Sequence, residues 1–280
     1  MACIGVLGSG LLGKRILSVA PSSIRTWGTF TEEQNPKKED MASKVLFQWE
    51  NIDTWNNMPK ETSSLIVTIP PIFQTESTVI EHLHQWCAWL KGNLKLLSSL
   101  VYISTTSVYP MKAKTWREED TIEETTLSSR LRICTENIFQ NYFPCCTLRS
   151  GAIYGPGRNI VSRILSNRSI PASDTPVHRI HVTDLANIAL KAALTQPEHK
   201  MINCCDVSPD PSRILAEWVI KNRELFSIPP GQELVVDEQP LRKKGRSFPG
   251  RFISNDLLLH KFGYRLIYPD WKSGLISCFP

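Results

Sequence analysis

The chain has 280 residues, of which 41% are hydrophobic and 21% charged, an ordinary balance for a globular protein able to bury a core in one large domain or two modest ones. Its net charge of +5, from 32 basic and 27 acidic residues, is small and dispersed; it argues weakly for nucleic acid and would suit an anionic metabolite. No apolar run approaches a membrane span, and the opening MACIGVLGSG lacks the basic stretch and cleavage pattern of a secretory signal.

In chain order, short apolar runs predict strands at 3–8, 24–30, 44–49, 64–69, 100–105 and 145–150. Amphipathic stretches lie between them. The clearest is 75–92, where Val79, Leu83, Trp86 and Leu90 recur at helical spacing before a stop at Gly92. Strand and helix in alternation argue for a parallel sheet covered on both faces. Further on, helix is expected over 160–168, a strand end running into helix over 178–194, a strand over 201–207 and an amphipathic helix over 211–226. A basic stretch follows at 241–255. Eight cysteines include the neighbours Cys145–Cys146 and Cys204–Cys205 but no C-x-x-C spacing. The expectation is a reduced, cytoplasmic protein with buried thiols and no metal site.

Gly8-Ser9-Gly10-Leu11-Leu12-Gly13 fits G-x-G-x-x-G, ends the first predicted strand and opens a helix from Leu11 to Val19. That context turns a weak pattern into a candidate dinucleotide cradle. Gly8 allows the tight turn, Gly10 lets backbone approach a pyrophosphate, Gly13 allows close helix–strand packing, and the helix N-terminus offers free N–H groups. After the second strand come Glu32 and Glu33, then Lys37 and Lys38, which leaves the choice between NAD and NADP open.

With the cradle, the segments ISTTSVY (103–109), LRSGAIYGPGR (148–158), HRIHVTDLANIAL (178–190) and RFISNDLLLHKFGYRLIYPDWKSGL (251–275) resemble an extended short-chain dehydrogenase/reductase of the NAD-dependent epimerase/dehydratase family. The ordered set spans almost the whole chain. The resemblance implies an α/β fold, a Rossmann-type doubly wound parallel sheet with a smaller, interleaved C-terminal substrate-binding lobe. The expected division is 1–159 plus about 178–207 for the NAD(P)-binding domain, and about 160–177 plus 208–280 for the substrate lobe. It also implies cofactor contacts at Gly8, Ser9, Gly10, Leu11, Leu12, Gly13, Thr29, Ile69, Pro70, Arg132, Gly151 and Ile153. The substrate implied is a nucleotide sugar, and a homodimer is one option for the assembly.

In this family a strand-five hydroxyl three residues before the Val–Tyr pair holds the reacting oxygen; here it is Thr105. The proton donor is a Tyr with a Lys four residues later on one helix face, where the cation lowers the phenol pKa. Aligning Glu136 to the family's Glu puts Ser128 and Arg132 in those places, and no Tyr occurs between Tyr109 and Tyr142. The Tyr-x-x-x-Lys pair is therefore absent, as in an atypical subgroup of the family. Arg132 could still grip ribose hydroxyls, Ser128 is too weak an acid, and Tyr109 is the nearest phenol. Glu118, Glu119 and Asp120 are expected on a solvated turn, with a substrate-side role as the alternative, and Asp184 as the N-cap of a helix from Leu185. On the substrate side Arg158 and, in the basic run, Arg246 could meet a phosphate. The run could equally be a solvated loop or touch RNA. The leading expectation is an NAD(P)-dependent epimerase, dehydratase or reductase. The alternative is a non-catalytic, redox-responsive NAD(P)-binding regulator.

Overall fold

A computed structural model describes residues 2–31, 44–70, 76–123, 126–237 and 250–279. The described chain forms two compact units. The first comprises Met1–Val108, Glu124–Arg149 and Leu185–Ile202; the second comprises Tyr109–Glu123, Ser150–Asp184 and Asn203–Pro280. The second thus takes up Tyr109–Glu123 and, within Ser150–Asp184, the stretches 150–159 and 178–184, which the sequence expectation placed with the cofactor domain.

The chain begins with strand β1 (Cys3–Leu7), helix α1 (Leu11–Val19), β2 (Arg25–Phe30), β3 (Lys44–Leu46), a short α2 (Ile52–Trp55), β4 (Ser64–Val67), α3 (Glu76–Asn93) and β5 (Ser99–Thr105). There follow β6 (Thr115–Trp116), α4 (Leu127–Tyr142), β7 (Cys145–Ser150), β8 (Ala152–Tyr154), α5 (Ile160–Leu165), β9 (Ile170–Pro171), β10 (Arg179–His181), α6 (Val182–Thr195) and β11 (Met201–Cys204). The chain closes with α7 (Ser212–Lys221), β12 (Val236–Asp237), β13 (Phe252–Ile253) and α8 (Trp271–Ile276).

Seven strands make one parallel sheet in the order β11-β7-β5-β4-β1-β2-β3. Chain order reverses at β1, which pairs with β2 on one side (Val6 opposite Gly28) and β4 on the other (Val6 opposite Ile66). In open α/β sheets such a switch point leaves a crevice beyond the strand C-termini where ligands bind. Strands β1, β4 and β7 are buried along their whole length, as a sheet covered on both faces requires. Their thiols are buried with them, and desolvation pushes Cys146 up to about 12, so it stays a thiol at neutral pH. The first unit's core is aromatic. Phe47, Trp49, Trp86, Phe139 and Tyr102 meet mostly edge to face at 4.9–6.4 Å.

The second unit is built from two-residue and three-residue ladders, β8 with β10, β9 with β12 and β6 with β13, over a core of Val161, Ile164, Ala216, Val219 and Phe226. None of these short pairs is visible as a sequence period. Two expected helices are shorter than predicted: α5 ends at Leu165, and α7 gives way after Lys221 to a separate 3-10 turn, Arg223–Phe226. No described helix is long and apolar enough to cross a membrane.

Candidate functional site

The turn after β1 is set by its glycines. Gly8 has φ +102°, where a side chain would be strained, and a Cβ there would also press on Thr68 and Ile69. A Cβ on Gly13 would overlap the carbonyl oxygen of Gly8, so only glycine lets α1 start this close to the strand. A Cβ on Gly10, by contrast, would meet no atom within 4 Å. Gly10 is also the N-cap of α1 and supplies no side-chain hydrogen bond; the helix's first internal bond runs from Lys14 N–H to Gly10 O at 2.9 Å. The N–H groups of Leu11, Leu12 and Gly13 are thus left for an outside acceptor, with the positive end of the helix dipole behind them. Open space over Gly10 and unclaimed donors fit the pyrophosphate of a dinucleotide.

The cradle is braced from β2. Thr29 Oγ1 accepts from Gly8 N–H at 2.9 Å, and the Ser9 hydroxyl donates to Thr29 O. Thr29 and Ser9 are both buried, so they act on the cradle's shape. Ile69 and Pro70, half-buried beyond β4, follow Thr68, whose hydroxyl donates to the carbonyls of Leu7 and Gly8. Glu32, Glu33, Lys37 and Lys38 lie outside the described residues.

At the end of β5, Thr105 is half-buried and its hydroxyl oxygen accepts from Ser107 N–H at 3.1 Å, closing a single 3-10 turn over Thr106–Val108. Alternation along the strand points Tyr102 and Ser104 together toward α4. There they meet Arg132 and Glu136, one helical turn apart. Arg132 Nη1 donates to Tyr102 Oη at 3.2 Å, and Ser104 donates to Glu136 Oε1 at 2.5 Å. Glu136 in turn takes a bidentate grip from Arg149 on β7, 2.6 and 3.2 Å, both residues being buried. Desolvation pushes the Tyr102 phenol up to about 12 against the opposing pull of Arg132, so it stays neutral. Neither Tyr102 nor this strand–helix clasp was picked out from the sequence. The signal was there in the i, i+2 pair on β5 facing the i, i+4 pair on α4.

Ser128 is exposed on the first turn of α4, which a reciprocal capping box between Thr126 and Ser129 fixes. In the second unit, Tyr109 is 1% exposed, stacks on Trp116, and donates to Asn203 Oδ1 at 2.8 Å. Its phenol is engaged in packing and in the bond to Asn203. Glu118 is not simply solvated either: its carboxylate accepts from Asn203 N–H at 2.8 Å. Asp184 is not an N-cap, because α6 starts two residues earlier at Val182. Its buried carboxylate instead accepts from Tyr264 Oη and the N–H groups of Ile267 and Tyr268, at 2.8–3.0 Å.

Gly151 and Ile153 also lie in the second unit. A Cβ on Gly151 would come within 2.8 Å of His178 O. Beyond β8, Pro156 and Gly157 (φ +74°) form a tight turn in which Gly155 and Arg158 exchange backbone hydrogen bonds at 3.0 and 3.1 Å. The turn projects Arg158 onto a cavity of about 230 Å³ lined also by Ile153, Arg163, Arg179 and Trp271. Arg246 lies outside the described residues.

No family model matches the chain, and no curated protein matches it. Solved structures do. A candidate NAD-dependent epimerase/dehydratase from Methylobacillus flagellatus superposes with a TM-score of 0.76 at 20% identity, over 99% of this chain and 97% of that one. The UDP-N-acetylglucosamine 4-epimerase of Bacillus cereus gives 0.78 at 13% identity, over 100% and 98%. A human epimerase family protein crystallised with NADPH gives 0.72 at 14%, over 99% and 98%. At these identities the likeness is one of fold, and the fold is the Rossmann-type α/β architecture expected from the sequence.

Proposed function

We propose that this protein binds NAD or NADP in its first unit and acts as an epimerase, dehydratase or reductase on a nucleotide-sugar-type substrate. The observation that carries the reading is the cradle: Gly8 at positive φ, close-packed Gly13, open space over Gly10 and the uncapped start of α1. The neighbours' cofactor and substrate names point the same way. Leu11, Leu12 and Gly13 N–H groups would hold the pyrophosphate, and Arg132, braced by Tyr102, would hold ribose hydroxyls. The nicotinamide, when bound, supplies hydride acceptance and return. Thr105 orients the substrate oxygen from the end of β5, with its own oxygen fixed by Ser107 N–H. Arg158 takes a substrate phosphate.

A second reading has its own support. With Ser128 where the family carries a phenol, Tyr109 packed away and Tyr102 buried, neither of these two phenols is presented as a base. A cofactor-binding regulator without turnover would have this composition. Purified protein with NAD⁺ or NADP⁺ and a panel of nucleotide sugars separates the two. Turnover is read as NADH or NADPH absorbance and as isomerised or dehydrated product. Thr105→Val should lower it at least tenfold. Tight dinucleotide binding with neither signal across the panel would rule for the regulator.

A further inference from the structure

We propose that the cavity of the second unit is a binding site for a small organic acid with a flat apolar body and one anionic head. The proposal goes beyond the hydride reading and does not need it, because every residue of the cavity belongs to the second unit.

The cavity's chemistry is one-sided. Its apolar lining comes from Ile160, Leu215, Trp271 and Leu275, its charge from Arg158, Arg163 and Arg179, and no carboxylate among the described residues lines it. Two of its side-chain acceptors are already in use, and the Tyr154 hydroxyl is buried without a partner among the described residues. Asn159 Oδ1 caps α5 by accepting from Ser162 N–H at 3.0 Å, and Ser212 Oγ accepts from Arg179 Nη2 at 3.0 Å. Arg179 is itself committed, its Nη1 donating to the carbonyls of Val177 and Asp210 at 2.7 and 2.6 Å. Donors are left over. Arg163 spends Nε and Nη2 on Ser169 O, leaving Nη1, and the Arg158 guanidinium has no partner among the described residues. Helix α7 starts at the cavity wall with Ser212, and Pro211 before it offers no side-chain cap.

A sugar presents hydroxyls that must donate as well as accept, and a wall of donors leaves half of them unsatisfied. A carboxylate or phosphate only accepts, and the planar guanidinium fork matches either one. The body of such an acid would lie against Trp271. That indole is already fixed: its Nε1 donates to Asp210 Oδ2 at 2.7 Å, and Trp218 stands edge-on at 5.4 Å. A locked apolar wall spares the ligand the cost of ordering it. Where the two proposals meet is Arg158, which grips an anion in both.

The test is a fluorine NMR titration of the full chain, without dinucleotide, using 4-(trifluoromethyl)benzoate and its neutral analogue 4-(trifluoromethyl)benzyl alcohol. The benzoate should bind saturably and about tenfold more tightly than the alcohol, the scale of one charge-assisted hydrogen bond. Arg158→Gln should bring the benzoate down to the alcohol's affinity. Ala152→Phe, a bulky change at an exposed position of the cavity wall, should weaken both. Absence of saturable benzoate binding, equal affinities for acid and alcohol, or benzoate binding untouched by Ala152→Phe would each overturn the proposal. So would displacement of the benzoate by NADH, which would put it in the dinucleotide site. Failure of the hydride reading leaves these outcomes unaffected.

Discussion

Two buried clusters, one in each unit, handle charge on opposite terms. In the first, Ser104, Glu136 and Arg149 close on one another, and the carboxylate oxygens of Glu136 are both taken. In the second, Asp206 Oδ2, His178 Nδ1 and Tyr154 Oη are buried without a hydrogen-bond partner among the described residues. Closed networks fasten a fold and are expensive to open. Groups left open cost stability and give it a pH dependence. The first unit thus holds its sheet with a closed cluster, whereas the second carries both kinds, the closed Asp184 carboxylate and the open Asp206 and His178.

The largest effect should come from opening the closed cluster. Glu136→Ala would strand Arg149 in the core and cost about 3–5 kcal/mol, read by urea unfolding. Glu136→Gln keeps a hydrogen bond and should cost less. A loss below about 1 kcal/mol for the alanine variant would show that the cluster is not the fastener described.

Next come the open groups, whose signs differ. Burial pushes Asp206 up from 3.8 to about 7 against the pull of Arg179, so the folded state holds a proton that the unfolded state has lost between those values. Its contribution is most favourable below pH 4 and falls, by up to about 4 kcal/mol, as pH rises to 7. Burial, helped by Arg251, pulls His178 down from 6.5 to about 4. Its contribution is intact above pH 6.5 and is lost, up to about 3 kcal/mol, as pH falls to 4. The two oppose each other across that window. Relative to wild type, Asp206→Asn should gain stability as pH rises from 4 to 7. A His178→Gln chain should gain as pH falls from 6.5 to 4. Shifts of the same sign in both would contradict the opposed titrations of these two open groups.

Smaller changes sharpen the first unit's side of the comparison. Gly13→Ala forces a methyl onto Gly8 O and should cost about 1–3 kcal/mol by thermal unfolding, as overpacking does. Tyr102→Phe removes one acceptor from Arg132, which is half-buried and can turn to water. About 1 kcal/mol of stability and a few-fold of dinucleotide affinity are the expected losses, the latter read by NADH fluorescence titration.

What could be read from the chain follows the range of the forces involved. The cradle was legible because glycine geometry acts within six residues: Gly8, Gly10 and Gly13 set its shape locally, and only its bracing by Thr29 and Thr68 comes from elsewhere. The central strands and α3 were legible because burial on two faces or one stripe leaves a period. Asp184 was misread because its partners, Tyr264, Ile267 and Tyr268, stand about 80 residues away, while an acid ahead of an apolar run looks locally like a cap. Glu118 was misread as simply solvated for the same reason, its carboxylate being claimed by Asn203 N–H. The short ladders of the second unit, and the cavity among them, rest on two- and three-residue pairings too brief to leave a pattern.

The central claim is that the Gly8–Gly13 turn is a dinucleotide cradle. Calorimetric titration of the purified chain with NADH and NADPH tests it most directly, with Gly13→Ala as the paired sample. The account predicts saturable one-to-one binding of at least one dinucleotide and its loss in the variant. No binding of either, or equal binding by wild type and Gly13→Ala, would contradict it.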